Sequence, residues 1–330
     1  MVNVMDGIST DENESRRVRA EKSSNMAKVF TEKPKPLDFV MPGLVVETPG
    51  LLIAPGATGK SFWALQAGIS IASGSKTFGI NAERTGEVVF LSAEDPKNIV
   101  EGRLFEMGSY LSTNERIRAE KNFFLIDYCN KQIDIMNNKT CLEIINICNG
   151  ARLIIIDTMS RVHQLMENDN GQMSKLISQV GNIAKETKAA VLICHHTSKK
   201  AHYEGHANEQ QSARGASSLV DNSRYVGFLS KMTSVQSKKL SLWKEGPHIS
   251  EDEKHRYVEF GVAKQNYGEP MSSFWYQRQN GGVLLPVILH EIKDGQNKST
   301  NTKIRYGKKH VANNARTKHK DEETDDDLDF

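Results

Sequence analysis

The sequence predicts an α/β fold in which a mostly parallel sheet is flanked by helices, with antiparallel strands added at one edge. Three observations lead to this expectation. Short apolar runs alternate with segments of helical periodicity, such as the amphipathic stretch from Ser174 to Thr187. The runs, for example Val88 to Leu91, contain no polar residue, which is typical of strands covered on both faces. After Ser223 the helical segments give way to successive strand-like runs, which favours antiparallel additions at one edge.

The elements follow in a regular order along the chain. Strands are predicted at residues 50–54, 88–91, 123–126, 153–156 and 190–194, and helices at 60–73, after Pro96, at 141–148 and at 174–187. The later strands are predicted at residues 225–229, 257–263 and 283–289.

Length and composition indicate one large domain with two tails. The chain has 330 residues and a net charge of +2, so its overall charge singles out no class of partner. We expect a polar, disordered segment at residues 1–33, with a short docking helix as the alternative, one α/β domain at 34–290, and a disordered tail at 291–330 that is first basic and then acidic.

The composition also favours a reducing, cytoplasmic location. No apolar run approaches the roughly 20 residues that cross a bilayer, and the polar amino terminus lacks the apolar core of a signal peptide. The four cysteines show no metal-ligand spacing, and Cys141 and Cys148 are predicted to be core thiols because they lie in a stretch of apolar periodicity.

A phosphate-binding loop is the strongest motif of the chain. An apolar strand leads into Pro55-Gly56-Ala57-Thr58-Gly59-Lys60-Ser61, and an apolar-periodic helix follows. Backbone N–H groups of such a loop surround phosphate oxygens, Lys60 is expected to reach the terminal phosphates, and the Ser61 hydroxyl to hold Mg²⁺. Ala54 stands where the motif has its first glycine. The alternative is a glycine-rich turn between a strand and a helix.

Two acidic positions follow predicted strands, at the edge where ligands bind in parallel sheets. Asp157 ends the run that begins at Leu153 and could hold Mg²⁺ opposite Ser61, or could simply cap a turn. Glu94 is the candidate base that deprotonates water, whereas Asp95 is the better candidate for capping the helix after Pro96.

A third polar signal lies at the end of the strand that begins at Ala190. His195 and His196 are adjacent, so they should point to opposite faces of the sheet, one toward the nucleotide and one toward the core, unless they are metal-binding or structural. The polar segment Lys199 to Gln211 is predicted to be a mobile loop that contacts the phosphate backbone of a nucleic acid. An ordinary surface loop is the alternative.

The chain resembles the RepA-type replicative helicases of IncQ plasmids, a family of hexameric RecA-like ATPases. The resemblance extends from about Pro36 to Pro286. It rests on the phosphate loop and on Pro36-Leu37-Asp38-Phe39-Val40, Ala93-Glu94-Asp95-Pro96, Asp157-Thr158, His195-His196, Gln211-Ser212-Ala213-Arg214-Gly215, Val220-Asp221-Asn222-Ser223-Arg224 and Lys264-Gln265-Asn266-Tyr267-Gly268.

The resemblance implies a role for each matching position. The implied catalytic residues are Glu94, Lys60, Arg224 and His196, with Arg224 as an arginine finger that enters the site of a neighbouring subunit and His196 as the sensor of the γ-phosphate. The implied ATP-binding residues are Pro55, Gly56, Ala57, Thr58, Gly59, Lys60, Ser61, Phe62 and Arg103, with Arg103 at the adenine. The implied Mg²⁺ ligands are Ser61 and Asp157.

The resemblance also implies a DNA helicase that hydrolyses ATP as a ring, most simply a homo-hexamer, with single-stranded DNA in the central channel and with plasmid or mobile-element replication as its task. The segment Lys199 to Gln211 would face that channel. A RecA-like regulatory or recombination ATPase without unwinding activity is the alternative, and a small-molecule kinase is a third.

Three parts of the chain depart from that family. The amino-terminal segment is longer, and residues 238–253 look like an insertion. The acidic end, Asp325 to Phe330, is predicted to recruit a replication partner or to fold back on the preceding basic stretch, and a merely solubilising tail is the alternative.

Overall fold

A computed structural model describes residues 10–196 and 217–292 of the chain. The predictions for the segment Lys199 to Gln211 and for the basic and acidic parts of the carboxyl-terminal tail lie outside these residues.

Residues 10–31 of the amino-terminal segment contain two helices; the sequence analysis favoured disorder there and gave a short helix as the alternative. Helix α1 spans Thr10–Lys22 and helix α2 spans Met26–Thr31. Arg17 and Glu21 pair one turn apart in α1, at 3.1 Å, and the Asn25 side chain caps the first amides of α2. These local contacts stabilise the two short helices of this polar segment.

The remaining elements alternate largely as predicted. The strands are β1 (Phe39–Met41), β2 (Leu44–Val45), β3 (Pro49–Ala54), β4 (Val88–Ser92), β5 (Phe123–Asp127), β6 (Leu153–Asp157), β7 (Ala190–His196), β8 (Tyr225–Lys231), β9 (Leu240–Ser241), β10 (Tyr257–Gln265), β11 (Phe274–Arg278), β12 (Leu284–Val287) and β13 (His290–Glu291). The further helices are α3 (Lys60–Ser73), α4 (Lys97–Gly108), α5 (Thr113–Asn122), α6 (Asn138–Ile147), α7 (Asn170–Thr187), α8 (Ser217–Asn222) and α9 (Ser234–Lys239).

Nine strands form one sheet in the order β12-β11-β10-β8-β3-β7-β6-β4-β5. The six strands from β8 to β5 are parallel, and β10, β11 and β12 are antiparallel additions at one edge. The predicted fold class, a mostly parallel sheet with an antiparallel edge, is therefore confirmed.

Two details of this edge differ from the prediction. Strand β8 was expected among the antiparallel strands but runs parallel to β3, with Tyr225 opposite Gly50. Helix α8 packs against α7 and returns the chain to the end of the sheet where β3 begins, so β8 starts from that same end. Strand β11 was not predicted, although Phe274 and Tyr276 alternate on one of its faces.

The helices cover both faces of the sheet and enclose two cores. Helices α3, α4 and α5 bury one face, and α6, α7 and α8 bury the other. The predicted core thiols Cys141 and Cys148 are buried, and all four cysteines are free. Among the described residues, no helix is both long and apolar enough to cross a membrane.

The antiparallel edge is bound tightly to helix α3, which begins at the phosphate loop. The Trp63 ring stacks on Phe260 of β10 at 4.4 Å, and Trp63 Nε1 donates a hydrogen bond to the Tyr276 hydroxyl of β11 at 3.1 Å. The Gln66 amide donates to the Leu284 carbonyl at 2.6 Å and accepts from the Leu284 N–H at 2.8 Å. These contacts hold β11 and β12 beside the first turns of α3.

Candidate active site

The predicted phosphate loop occupies the carboxyl end of β3 and leads directly into α3. Helix α3 begins at Lys60 after Gly59, whose φ of 112° lies in the left-handed region that favours glycine. No side chain caps this helix start, so its first N–H groups are available for an anion. A Cβ added at Gly56 would have no protein atom within 4 Å, so the loop leaves space on that side.

A cavity of about 370 Å³ lies against this loop. It is lined by Pro55, Ala57, Thr58, Gly59, Lys60, Ser61, Phe62, Glu94, Asp95, Arg103, His196 and Arg278. All the residues that the sequence analysis expected to bind ATP, except Gly56, therefore border one cavity. Gly56 belongs to the loop itself, and Asp157 is joined to the cavity through Lys60.

Lys60 and Asp157 form a buried ion pair at the centre of the site. Lys60 Nζ lies 3.2 Å from Asp157 Oδ1, and each residue is 4% exposed. Burial opposes the charge of Lys60, but the Cys194 sulfur and the Asp157 carboxylate outweigh it and raise the pKa of Lys60. The lysine is therefore a permanent positive charge at the base of the loop.

Glu94 and His196 meet on the other side of the cavity. His196 Nε2 lies 3.4 Å from Glu94 Oε2, and both side chains are partly exposed. The backbone N–H groups of Ala93 and Glu94 both donate to the Asp157 carbonyl, at 2.7 and 3.3 Å, and this holds the end of β4 against the end of β6. The carboxylate is thereby kept at the mouth of the cavity.

The two histidines point to opposite faces, as the strand alternation predicts. His196 borders the cavity, whereas His195 is buried and 7% exposed. Burial lowers the pKa of His195 to about 4, and the charges of Lys60, His196 and His163 act in the same direction. His195 is therefore a neutral core residue at pH 7.

Asp95 does not cap helix α4, which corrects the sequence-based assignment. Pro96 occupies the capping position and provides no side-chain hydrogen bond. Asp95 Oδ2 instead accepts a hydrogen bond from Arg103 Nη1 at 2.7 Å, and the Arg103 guanidinium lies 5.3 Å from the centre of the Phe62 ring. Phe62 and Arg103 thus form a platform at one side of the cavity.

Arg278 is the site residue that the sequence analysis missed. It ends β11, and its Nη2 donates a hydrogen bond to the Thr58 carbonyl of the loop at 2.6 Å. The signal was weak because Arg278 follows the loop by 220 residues in sequence and belongs to no phosphate-binding motif.

Arg224 lies far from the loop of its own subunit. It is exposed just before β8, and its N–H donates to the Pro49 carbonyl at the first residue of β3. The loop follows the opposite end of β3, a separation of ~20 Å along the strand. Arg224 therefore has no place in this cavity.

The residues around the cavity fit a nucleotide with magnesium. The Thr58 hydroxyl is buried without a hydrogen-bond partner, and the free helix start and the open side of Gly56 provide room for phosphate. Ser61 and Asp157 offer oxygen donors, the type that Mg²⁺ prefers. Among the described residues, no cluster of three His, Cys, Asp or Glu side chains could hold a metal by itself.

Comparisons with known proteins agree with this architecture. The AAA_25 family model, described as an AAA domain, matches residues 14–202, which is more than half of the chain. A solved structure of an ATPase domain superposes on 86% of this chain and on 100% of its own length, with a TM-score of 0.53 at 15% sequence identity. At this identity the similarity concerns the fold alone, and it agrees with the mostly parallel sheet and its antiparallel edge.

Proposed function

This chain belongs to the AAA_25 family of AAA domains, and from that premise we propose that it is an ATP hydrolase that drives the unwinding of DNA. The observation that supports this most strongly is the convergence of the phosphate loop, the Lys60–Asp157 pair and Glu94 on one cavity. These groups come from the carboxyl ends of three parallel strands, where ligands bind in such sheets.

The loop is proposed to hold the phosphates of ATP. The N–H groups at the start of α3 and the Lys60 ammonium would bind phosphate oxygens, and Phe62 with Arg103 would border the adenine. Ser61 and Asp157 would hold Mg²⁺, which when bound offsets the negative charge of the phosphates.

Glu94 is proposed as the general base. Its carboxylate at the mouth of the cavity would orient a water molecule toward the γ-phosphate and accept its proton. His196 lies 3.4 Å from Glu94 and directly precedes the residues at 197–216. It is therefore suited to transmit the state of the phosphate to the segment Lys199 to Gln211, which we propose contacts single-stranded DNA.

Arg224 is proposed to act in the site of a neighbouring subunit. Its exposure and its distance from its own loop support this proposal, because an exposed side chain at that end of the sheet can reach a second subunit. An arginine supplied across an interface can accelerate phosphoryl transfer by ~10³–10⁵. We therefore propose a ring of identical subunits, most simply a hexamer, that translocates on single-stranded DNA during plasmid or mobile-element replication. The acidic carboxyl terminus would recruit a replication partner.

A mixing experiment tests the shared site. Arg224→Ala and Lys60→Ala proteins should each be inactive in ATP hydrolysis, and mixed rings should regain part of the activity because some interfaces then contain both intact residues. Assembled mixed rings that show no recovery would exclude a shared site. Strand displacement on a forked duplex then separates a helicase from a RecA-like regulatory or recombination ATPase, which would hydrolyse ATP without unwinding.

A further inference from the structure

Arg278, at the end of strand β11 on the antiparallel edge of the sheet, contacts the phosphate loop. Arg278 Nη2 donates to the Thr58 carbonyl at 2.6 Å, one residue before Gly59. A Cβ at position 59 would lie 3.0 Å from the same nitrogen, so a side chain there would crowd the guanidinium, and the φ of Gly59 also favours glycine. The contact joins the last residue of β11 to the loop that starts α3.

The two arginines that border the cavity differ in their electrostatic state. Arg103 is neutralised by the Asp95 carboxylate at 2.7 Å. Arg278 has no carboxylate within ion-pair distance among the described residues, and burial alone lowers its pKa. Since an arginine remains protonated at neutral pH, Arg278 places an unneutralised positive charge beside the loop.

Within the described part of the chain, Arg278 uses only part of its hydrogen-bonding capacity. A guanidinium has five N–H groups in a planar fork, and the Thr58 carbonyl is the acceptor that the structure gives this one. A partly buried charge without a counter-ion is unfavourable, and the cost is relieved when an anion with several acceptor oxygens binds beside it. The cavity next to the loop is the space from which such an anion would approach.

We propose that Arg278 is a nucleotide-binding residue that holds the Thr58 carbonyl with one N–H and donates others to the phosphate chain of a nucleoside di- or triphosphate. The inference rests on the proposed function of the same site. It differs from the role of Arg224, because Arg278 acts in the subunit that carries the phosphate loop. Strand β11 would then contact the phosphate chain through Arg278 when a nucleotide is bound.

Nucleotide binding to the full-length protein tests this assignment. Affinities of AMP, ADP and a non-hydrolysable ATP analogue, each with Mg²⁺, are measured for the wild type, Arg278→Gln, Arg278→Lys and Lys60→Ala. Arg278→Gln should lower the affinity for the ATP analogue about 10- to 100-fold, since a charged hydrogen bond is lost. The affinity for AMP should remain nearly unchanged. Arg278→Lys should recover part of the loss, because it keeps the charge but cannot bond both groups.

The matched control is Gln277→Ala on the same strand. The Gln277 side chain donates to the Tyr257 hydroxyl at 3.1 Å and lies on the other face of β11, so its loss should affect the edge strand without affecting nucleotide affinity. Melting temperatures without nucleotide show whether each variant is folded. If Arg278→Gln is unfolded, Arg278→Lys is compared with the wild type instead. The inference then requires that Arg278→Lys lowers the affinity for the ATP analogue and leaves the affinity for AMP unchanged.

The outcomes separate this inference from the proposed function. If Arg278→Gln lowers the affinities for AMP and for the ATP analogue equally, Arg278 only supports the loop. If it changes neither affinity, Arg278 does not belong to the site. Either outcome overturns the inference. If Lys60→Ala weakens the ATP analogue while Arg278→Gln does not, only the inference falls. If neither variant affects binding, the loop does not bind the nucleotide and the proposed function falls with it.

Discussion

Lys60 and Asp157 are 97 residues apart in sequence, yet their charged groups meet at 3.2 Å in the interior of the protein. Lysine Nζ comes from the first turn of α3 and the carboxylate from the end of β6, and strand β7 lies between β3 and β6 in the sheet. The pair therefore connects the phosphate loop to a strand that is not its neighbour.

The first prediction concerns the stability of this pair. Lys60→Met or Asp157→Asn should each lower the free energy of unfolding by about 3–5 kcal/mol, because the remaining group is left buried without its partner. The double variant should lose less than the sum of the two. Urea denaturation of the wild type and the three variants provides the measurement, and additive losses would show that the two charges do not interact.

The second prediction concerns the candidate base. Glu94→Gln should retain affinity for ATP and lower its hydrolysis by about 10²–10⁴-fold, since the amide cannot accept the proton from water. Glu101→Gln is the matched control, because Glu101 is exposed on α4 and pairs with Lys97 at 3.6 Å. Comparable turnover in the wild type and Glu94→Gln would assign the proton transfer to another group.

The third prediction concerns the attachment of the edge strands. Gln66→Leu should lower the free energy of unfolding by about 2–4 kcal/mol, because the buried N–H and carbonyl of Leu284 both lose their partner. Gln66→Glu preserves the acceptor but not the donor and should also destabilise the protein. Urea denaturation measures both effects, and a wild-type midpoint for Gln66→Leu would mean that water replaces the amide.

The fourth prediction is a pH dependence of stability caused by His195. The folded state has a pKa of about 4 for this residue, whereas an unfolded histidine titrates near 6.5. Between these values the unfolded chain binds the extra proton, so the free energy of unfolding decreases as the pH falls through this window, by roughly 3 kcal/mol in total. Above pH 6.5 this contribution is fully present.

Urea denaturation at several pH values between 7 and 4.5 provides the measurement. His195→Asn should make stability less dependent on pH in this range, whereas His255→Asn, which changes an exposed histidine, should behave as the wild type does. The same pH dependence in the wild type and His195→Asn would attribute the effect to His163, whose pKa burial also lowers, or to the carboxylates.

Local patterns were sufficient to predict most of the framework. Helix α3 begins and ends at the predicted residues, and the unbroken apolar runs correctly located β3, β4, β6 and β7. Because polar residues at the carboxyl ends of parallel strands meet at one edge, the positions of Glu94, Asp157 and His196 in the site follow from the same runs. Alternation along β7 also predicts that one histidine is buried.

The partners of individual side chains depended on the tertiary structure. Asp95 was predicted to cap a helix but pairs with Arg103, and β8 was predicted to be antiparallel but aligns with β3. In both cases the local sequence is compatible with either outcome. Arg103, eight residues along the chain on α4, pairs with the Asp95 carboxylate, and pairing with the distant strand β3 sets the direction of β8.

The sequence by itself determined where the phosphate loop lies and which strand ends surround it, because periodicity and glycine placement record burial and backbone conformation over a few residues. Only the tertiary structure decided that Arg278 contacts Thr58 and that Gln66 binds Leu284, across separations of 220 and 218 residues. Such pairs depend on the order of strands in the sheet, because a hydrogen bond requires two groups within about 3 Å. Local periodicity contains no information about which distant strand becomes the neighbour.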